Sequence, residues 1–409
     1  MIALLRLLTV LIVAGIFTGF RQVNEGKLRL LYTAPAERPA VPTPTPRYAN
    51  ITPTPAPEIA VDFRGLYLSN ADGSGARLIY GEAHVSEAAA NPITGEIVAL
   101  THPADSNGDL VIDARDNAVI VLLRPDENGL YSVIVRSSTF TPPEGYTKIL
   151  WSPDGSALGL MAGPEPFTGL GLFTPAVSAS AIRWLVKPGE DAAVIDYAWT
   201  KESRIVAVAS MDNDADGTPE NFEVAAFSAP NSLPAAITSE EQDITGVDVS
   251  ANRVIYARAE NVRRIERAYI ADPEWAESEP VSLLDPGDLT VDYPFINHLA
   301  ISPDGNFIVL IRQRQDSPEN IVLLYDVSLT RRYTLYEDVY VTSPPRWSPE
   351  GRFLMLVGHF DDTNGDGQLY TDDVPGLYWM NIEEPETRPL RITQAKTPVT
   401  FGAWYPPQP

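Results

Sequence analysis

The sequence predicts an all-β fold, a β-propeller of four-stranded antiparallel blades. Three observations carry that expectation. A short turn motif recurs at a period near fifty residues, apolar strands flank each copy, and turn formers abound, with 37 prolines and 27 glycines among 409 residues. The motif reads Trp151-Ser-Pro-Asp-Gly155, Ile301-Ser-Pro-Asp-Gly305 and Trp347-Ser-Pro-Glu-Gly351. Degenerate copies are Asn91-Pro-Ile-Thr-Gly95, Trp199-Thr-Lys-Glu-Ser203 and Val249-Ser-Ala-Asn252. Proline fixes φ at the first corner, and Asp then Gly accept the tight or positive-φ positions that follow. Each copy leads into an apolar strand such as NFIVLIR or RFLMLVG, and each unit adds two more, such as NIVLLYDV with RRYTLYE. A repeated unit of four strands is a propeller blade.

The chain ends fit a closed ring. Phe401-Gly-Ala-Trp-Tyr405 matches a first strand, Gly65–Asn70 resembles the third strand Gly376–Asn381, and Ala76–Tyr80 supplies a fourth. One blade is therefore expected to be split between the two ends, with three strands, which removes exposed sheet edges. Seven blades are favoured, with six as the alternative.

Three segments are expected. Residues 1–20 read as a membrane anchor or signal segment: Arg6 is its only charged side chain, and Leu7–Phe20 is an uninterrupted apolar run. As a helix at about 1.5 Å per residue that run is short for a hydrocarbon core of about 30 Å, so anchor and cleaved signal both stay open. Residues 21–60 read as a linker, with eight prolines between 35 and 57 favouring extended polyproline II. Residues 61–409 form the propeller.

Composition removes whole classes of function. Acidic residues outnumber basic ones by 54 to 30, a formal charge of −24, which argues against nucleic acid as a partner. With no cysteine, thiol nucleophiles, thiolate metal sites and disulfides are excluded, and four histidines leave little for a histidine-rich centre. No G-x-S-x-G elbow, P-loop, dinucleotide fingerprint or H-E-x-x-H occurs.

The SPDG hairpins, together with Leu66-Tyr-Leu-Ser-Asn-Ala-Asp-Gly-Ser-Gly75 before a strand, resemble the TolB-type propeller repeat across residues 62–409. That resemblance implies the fold. It leaves function open, because the family runs from periplasmic scaffold proteins to the propeller halves of serine peptidases.

Three acidic loops carry the candidate chemistry. The first holds Asp105, Asn107, Asp109, Asp113 and Asp116; the second Asp212, Asp214, Asp216, Glu220 and Glu223; the third Asp362, Asn364, Asp366 and Asp373. Each puts oxygen side chains at positions 1, 3 and 5 and an acid at position 12. Ca2+ takes six to eight oxygens, and a tightly wound loop turns alternate residues inward, lends a carbonyl at position 7 and closes with a late carboxylate. Gly217 and Gly367 stand at position 6, where the turn is sharpest, and the first loop has Leu110 there. The loops resemble those of EF-hands and dockerins and, without flanking helices, the calcium-bearing hairpins of integrin-type propellers. They recur between the second and third strands of blades one, three and six. Two or three Ca2+ ions are expected, and oxygen-only sites suit a periplasmic or cell-surface location. His102 and His359, each three residues before a loop, read as packing or capping residues, and the tryptophans at 151, 199, 347 and 404 as core between blades.

The expected function is an extracytoplasmic calcium-binding scaffold, membrane-tethered through its N-terminal helix or secreted, and monomeric. It would bind a protein, peptide or glycan on one face. The alternative is a secreted glycan hydrolase or lyase with carboxylates in the propeller funnel. A funnel lined by paired carboxyls favours the enzyme, and one plugged by apolar side chains argues against it.

Overall fold

The computed structural model describes residues 28–36, 64–136, 146–163, 168–174, 182–188, 192–211, 220–227, 235–236, 244–250, 253–260, 265–271, 281–282, 292–328 and 331–405 apart from 385, 386, 388 and 395. The apolar segment at 2–20 and most of the Pro/Thr stretch lie outside these residues. Among the described residues no helix is long and apolar enough to cross a membrane.

In chain order the first strands are β1 (Arg29–Pro35), β2 (Arg64–Asn70) and β3 (Arg77–Tyr80). Next come β4 (His84–Ala90), β5 (Ile97–His102), β6 (Val119–Pro125) and β7 (Tyr131–Arg136). The third group is β8 (Tyr146–Trp151), β9 (Leu158–Ala162), β10 (Gly169–Phe173) and β11 (Ile182–Val186). The fourth is β12 (Ala192–Trp199), β13 (Ile205–Met211), β14 (Glu220–Phe227) and β15 (Ala235–Ala236). The fifth is β16 (Ile244–Ser250), β17 (Arg253–Glu260), β18 (Ile265–Ala271) and β19 (Val281–Ser282). The last are β20 (Phe295–Ile301), β21 (Phe307–Gln313), β22 (Asn320–Asp326), β23 (Arg331–Trp347), β24 (Phe353–His359), β25 (Gly376–Asn381), β26 (Leu390–Arg391) and β27 (Gly402–Tyr405).

The pairings among the described strands are antiparallel, and each sheet but one has four strands. The exception is the seven-stranded β20–β26 sheet. It is continuous because β23 pairs with β22 through Val339 and with β24 from Tyr340 onward. Divided there, the described strands make seven four-stranded units.

Each sheet is covered on both faces, which explains why its inner strands read as unbroken apolar runs: every residue of Phe353–His359 is buried. Side chains alternate between faces with period two. Leu31 accordingly packs with Val85 and Ile97 of the next unit, while Leu30 packs with Met355 and Val357 of the preceding one. The same division occurs round the molecule, with clusters joining Leu100 to Ile149, Met161 to Val194, Val208 to Val247, Ile255 to Ile308 and Ile311 to Leu356. The units thus form a closed ring, a β-propeller.

The turn motif acts as read. Ser152, Ser302 and Ser348 are fully buried, and each hydroxyl accepts the N–H that opens the following strand, from Ala157, Phe307 and Phe353. Gly155, Gly305 and Gly351 adopt φ of 67°, 76° and 74°. The tryptophans lock blades together. Trp151, Trp199 and Trp404 each donate the indole N–H, at 3.0 Å, to a carbonyl of the preceding inner strand, those of Ala89, Leu150 and Arg346.

One sequence expectation is corrected. The split blade has four strands, in the order β27-β1-β2-β3, because Arg29–Pro35, inside the stretch read as linker, is inserted between the two chain ends. Its seven residues pair with β2, and Arg29–Tyr32 also pair with β27. The driving force is apolar: Leu30 and Leu31 are wholly buried, one on each face. Truncating Leu31 to Ala is therefore expected to destabilise the protein by about 2–5 kcal/mol in urea denaturation. A chain beginning at residue 60 should melt below one that retains Arg29–Pro35.

Candidate functional sites in the acidic loops and the central channel

The first and third loops share one geometry despite different sequences. In each, the Asp at position 1 accepts two backbone N–H groups: Asp105 from Gly108 and Leu110, and Asp362 from Gly365 and Gly367. Position 3 accepts from position 5, Asn107 from Asp109 and Asn364 from Asp366. Position 5 accepts from position 7, Asp109 from Val111 and Asp366 from Gln368. Position 6 is left-handed in both, with φ of 66° at Leu110 and 83° at Gly367. The leucine thus keeps the turn, at the strain cost of a Cβ in that region.

The acids at position 12 brace the loops. Asp116 and Asp373 are buried, and their carboxylates hold the loop from within. Asp116 accepts the N–H groups of Ser106, Asn107 and Asp113 and the Ser106 hydroxyl. Asp373 does the same with Thr363, Asn364 and Tyr370. Burial alone would raise both pKa values, but these donors outweigh it and hold both below the ordinary carboxylate value. Both oxygens of each acid thus brace the loop backbone.

The loops differ in charge. Arg115 reaches Asp113 at 2.6 Å and Asp109 at 3.1 Å, so the first loop carries its own cation. Asp372 stands at the equivalent position of the third loop. Among the described residues no cation pairs with Asp362 or Asp366 of the third loop, which stand with Asn364 and with Gln368 at position 7. Among the described residues no three His, Asp or Glu side chains converge as a metal-binding group. In the second loop Asp212, Asp214 and Asp216 lie outside the described residues, and Glu220 and Glu223 fall within β14, opposite Met211 and Ala209. His102 caps the first loop: its Nδ1 lies 2.8 Å from the Asp116 carbonyl and its Nε2 2.9 Å from the Ser86 hydroxyl. The carbonyl requires a proton on Nδ1, so Nε2 accepts. Burial keeps the ring neutral by lowering its pKa, against the pull of Asp116.

The second constellation escaped sequence reading. The inner strands β4, β8, β12, β16 and β20 shift register near their starts, and β23 does so in its second half, between Val341 and Arg346. A bulge of this kind re-aims the side chain that follows it. The residues resuming the ladder are Glu87, Lys148, Asp196, Gly246, His298 and Arg346, each from a different blade.

These residues and Asp248 form a belt round the axis. Arg346 reaches Glu87 at 3.3 Å, and the Ile149 N–H of the next blade also supports Glu87. Lys148 pairs with Asp196 at 2.5 Å and donates to the Tyr197 carbonyl at 2.7 Å. Asp196 accepts the Val247 N–H at 3.0 Å, and Asp248 accepts that of Ile301 at 2.9 Å. Arg346 also lies over the Phe401 ring, 5.3 Å from its centroid.

Burial dominates the proton affinities. It raises Glu87, with Arg346 and Lys148 opposing, and lifts Asp248 to about 6 against the Ile301 N–H. It lowers His298 to about 4, with Asp196 pulling the other way.

Solved structures share this architecture. TolB from Acinetobacter baumannii aligns at a TM-score of 0.50 and 12% identity, over 84% of this chain and 79% of that one. An oligogalacturonate lyase in complex with manganese aligns at 0.51 and 12%, over 75% and 77%. The β-propeller domain of the Trilobed protease from Pyrococcus furiosus, with an open velcro topology, aligns at 0.54 and 11%, over 81% and 88%. At such identities the likeness supports the propeller fold alone. No family model matches the chain, and no curated protein matches it in sequence.

Leu110→Gly should stabilise the protein by roughly 1 kcal/mol in urea denaturation, because it releases a left-handed leucine. The belt predicts opposed pH terms. The His298 contribution is present above its ordinary value of 6.5 and lost as pH falls toward about 4. Asp248 contributes stability that is present below its ordinary 3.8 and lost as pH rises through about 6. Replacing His298 by Gln should therefore reduce the gain in stability between about pH 4 and pH 6, read from urea midpoints.

Proposed function

We propose that this chain is an extracytoplasmic calcium-binding propeller that serves as a binding scaffold, tethered through residues 1–20 or secreted. The supporting observation is the pair of loops 105–116 and 362–373, wound alike on the same inter-strand connection of two blades. That connection lies at one end of every blade, so the loops share a rim. Calcium would be held by Asp362, Asn364, Asp366 and the Gln368 carbonyl in the third loop, and less well in the first, where Arg115 already neutralises Asp109 and Asp113. Bound there, the ion supplies fixed positive charge and rigidity. Loops ordered beforehand lose less entropy when a protein, peptide or glycan docks. Weak oxygen-only sites fill where free calcium is high, which supports the periplasm or cell surface.

The glycan-cleaving alternative fits less well. Three carboxylates stand in the belt, but Glu87 and Asp196 are tied to Arg346 and Lys148, and Asp248 to backbone N–H groups. A belt with its charges already paired suits a rigid platform better than an acid and base awaiting substrate.

Calcium titration of the chelator-stripped full-length chain, followed by calorimetry and melting, tests the proposal. Calcium at 100 times its Kd should stabilise by about 2.7 kcal/mol per site. Asp366→Asn should remove the third-loop signal, and Arg115→Ala should strengthen binding at the first. No heat and no melting shift at roughly 10 mM calcium would sink the calcium reading, since extracellular-type sites bind at 10⁻⁴–10⁻³ M.

A further inference from the structure

We propose that the seam between the closing sheet β27-β1-β2-β3 and its neighbour β4–β7 holds a small anion bearing a carboxylate or phosphate group. A cavity of about 530 Å³ opens there, lined by β1, β2, β27, Arg77 of β3 and the turn between β6 and β7. Its size lies within the usual range of small-molecule sites, about 300–1,000 Å³. This inference goes beyond the scaffold reading and does not depend on calcium.

The cavity brings two arginines together in a protein of net charge −24. Arg29 and Arg77 both line it. Arg29 stands where β1 pairs with Asn70 on one side and Tyr405 on the other, exposed, with no carboxylate of the described residues in salt-bridge contact. Arg77 donates one guanidinium N–H to the Gly129 carbonyl at 2.7 Å, which fixes the fork without neutralising it. A planar guanidinium suits the paired oxygens of carboxylate and phosphate.

The two tyrosines of the cavity add no charge of their own. Tyr131 donates to the Tyr405 hydroxyl at 2.8 Å, and Tyr405 donates to the Gly95 carbonyl at 3.0 Å. Burial raises both tyrosines above their ordinary pKa, against the opposing pull of Arg29 and Arg77, so both stay neutral. Two acids also line the cavity. Asp126 turns one carboxylate oxygen to the turn, accepting the N–H groups of Asn128 and Leu130 at 2.8 and 2.7 Å, and keeps its negative charge beside the arginines. Glu127 is exposed at the rim and opposes an anion there. Because the cavity spans the closing sheet and the first blade after it, an occupant bridges the point at which the ring is joined.

The test is calorimetric titration of the full-length chain in mild detergent with inorganic phosphate, with gluconate and with glucose, at constant ionic strength. One or both anions should bind and glucose should not. Affinity should fall about tenfold or more in Arg29→Gln, whose exposed side chain is not needed for folding, and in Arg77→Gln. Glu127→Gln should bind more tightly. Phosphate alone binding identifies a phosphoryl ligand, and gluconate alone a carboxylate. Failure of both anions to bind at roughly 10 mM, or unchanged affinity in both arginine variants, overturns the proposal.

Discussion

The inner ends of the blades are held by a belt of charge. Arg346 grips Glu87, Glu87 takes an N–H from the second blade, Lys148 grips Asp196, Asp196 takes Val247, and Asp248 takes Ile301. Each carboxylate of the belt finds a cation or N–H on an adjoining strand. Leaving one partner unmatched in such a site is expensive. The belt therefore specifies which strand lies beside which, while the apolar clusters between blades supply the bulk of the cohesion.

Much of this was legible in the sequence, and the exceptions share a cause. The hairpins were readable because the Ser-Pro-Asp-Gly requirements are local: a buried hydroxyl, a fixed φ and a left-handed residue within five positions. The role of β1 was not, since RLLYTAP pairs with residues near 404 and nothing local marks that partner. The belt was hidden for another reason. Glu87, Lys148, Asp196 and His298 each stand four residues before the serine position of their copy, a regularity visible only once the repeats are aligned on that position. Their charges vary, so they look like scattered surface residues until the bulges bring them together.

The acidic loops show the same division between pattern and role. Spacing located both described loops and their shared connection. It did not show that Asp116 and Asp373 are buried under loop N–H groups and act as the internal braces of the turn. Arg115 and Asp372, at one structural position with opposite charge, separate two loops whose backbones are the same.

The insertion of β1 also decides how the molecule carries mechanical load. Tension arriving through the chain before Arg29 meets one strand, gripped by β2 along seven paired positions and by β27 along four. Arg29 lies opposite Tyr405, so the two chain ends leave the sheet side by side. A pull that separates them opens the shorter ladder one pair at a time, like a zipper. A pull on β1 against the body of the ring must also break the longer ladder. The other blades would feel that load only through their neighbours, so the closing sheet is where such a propeller yields first.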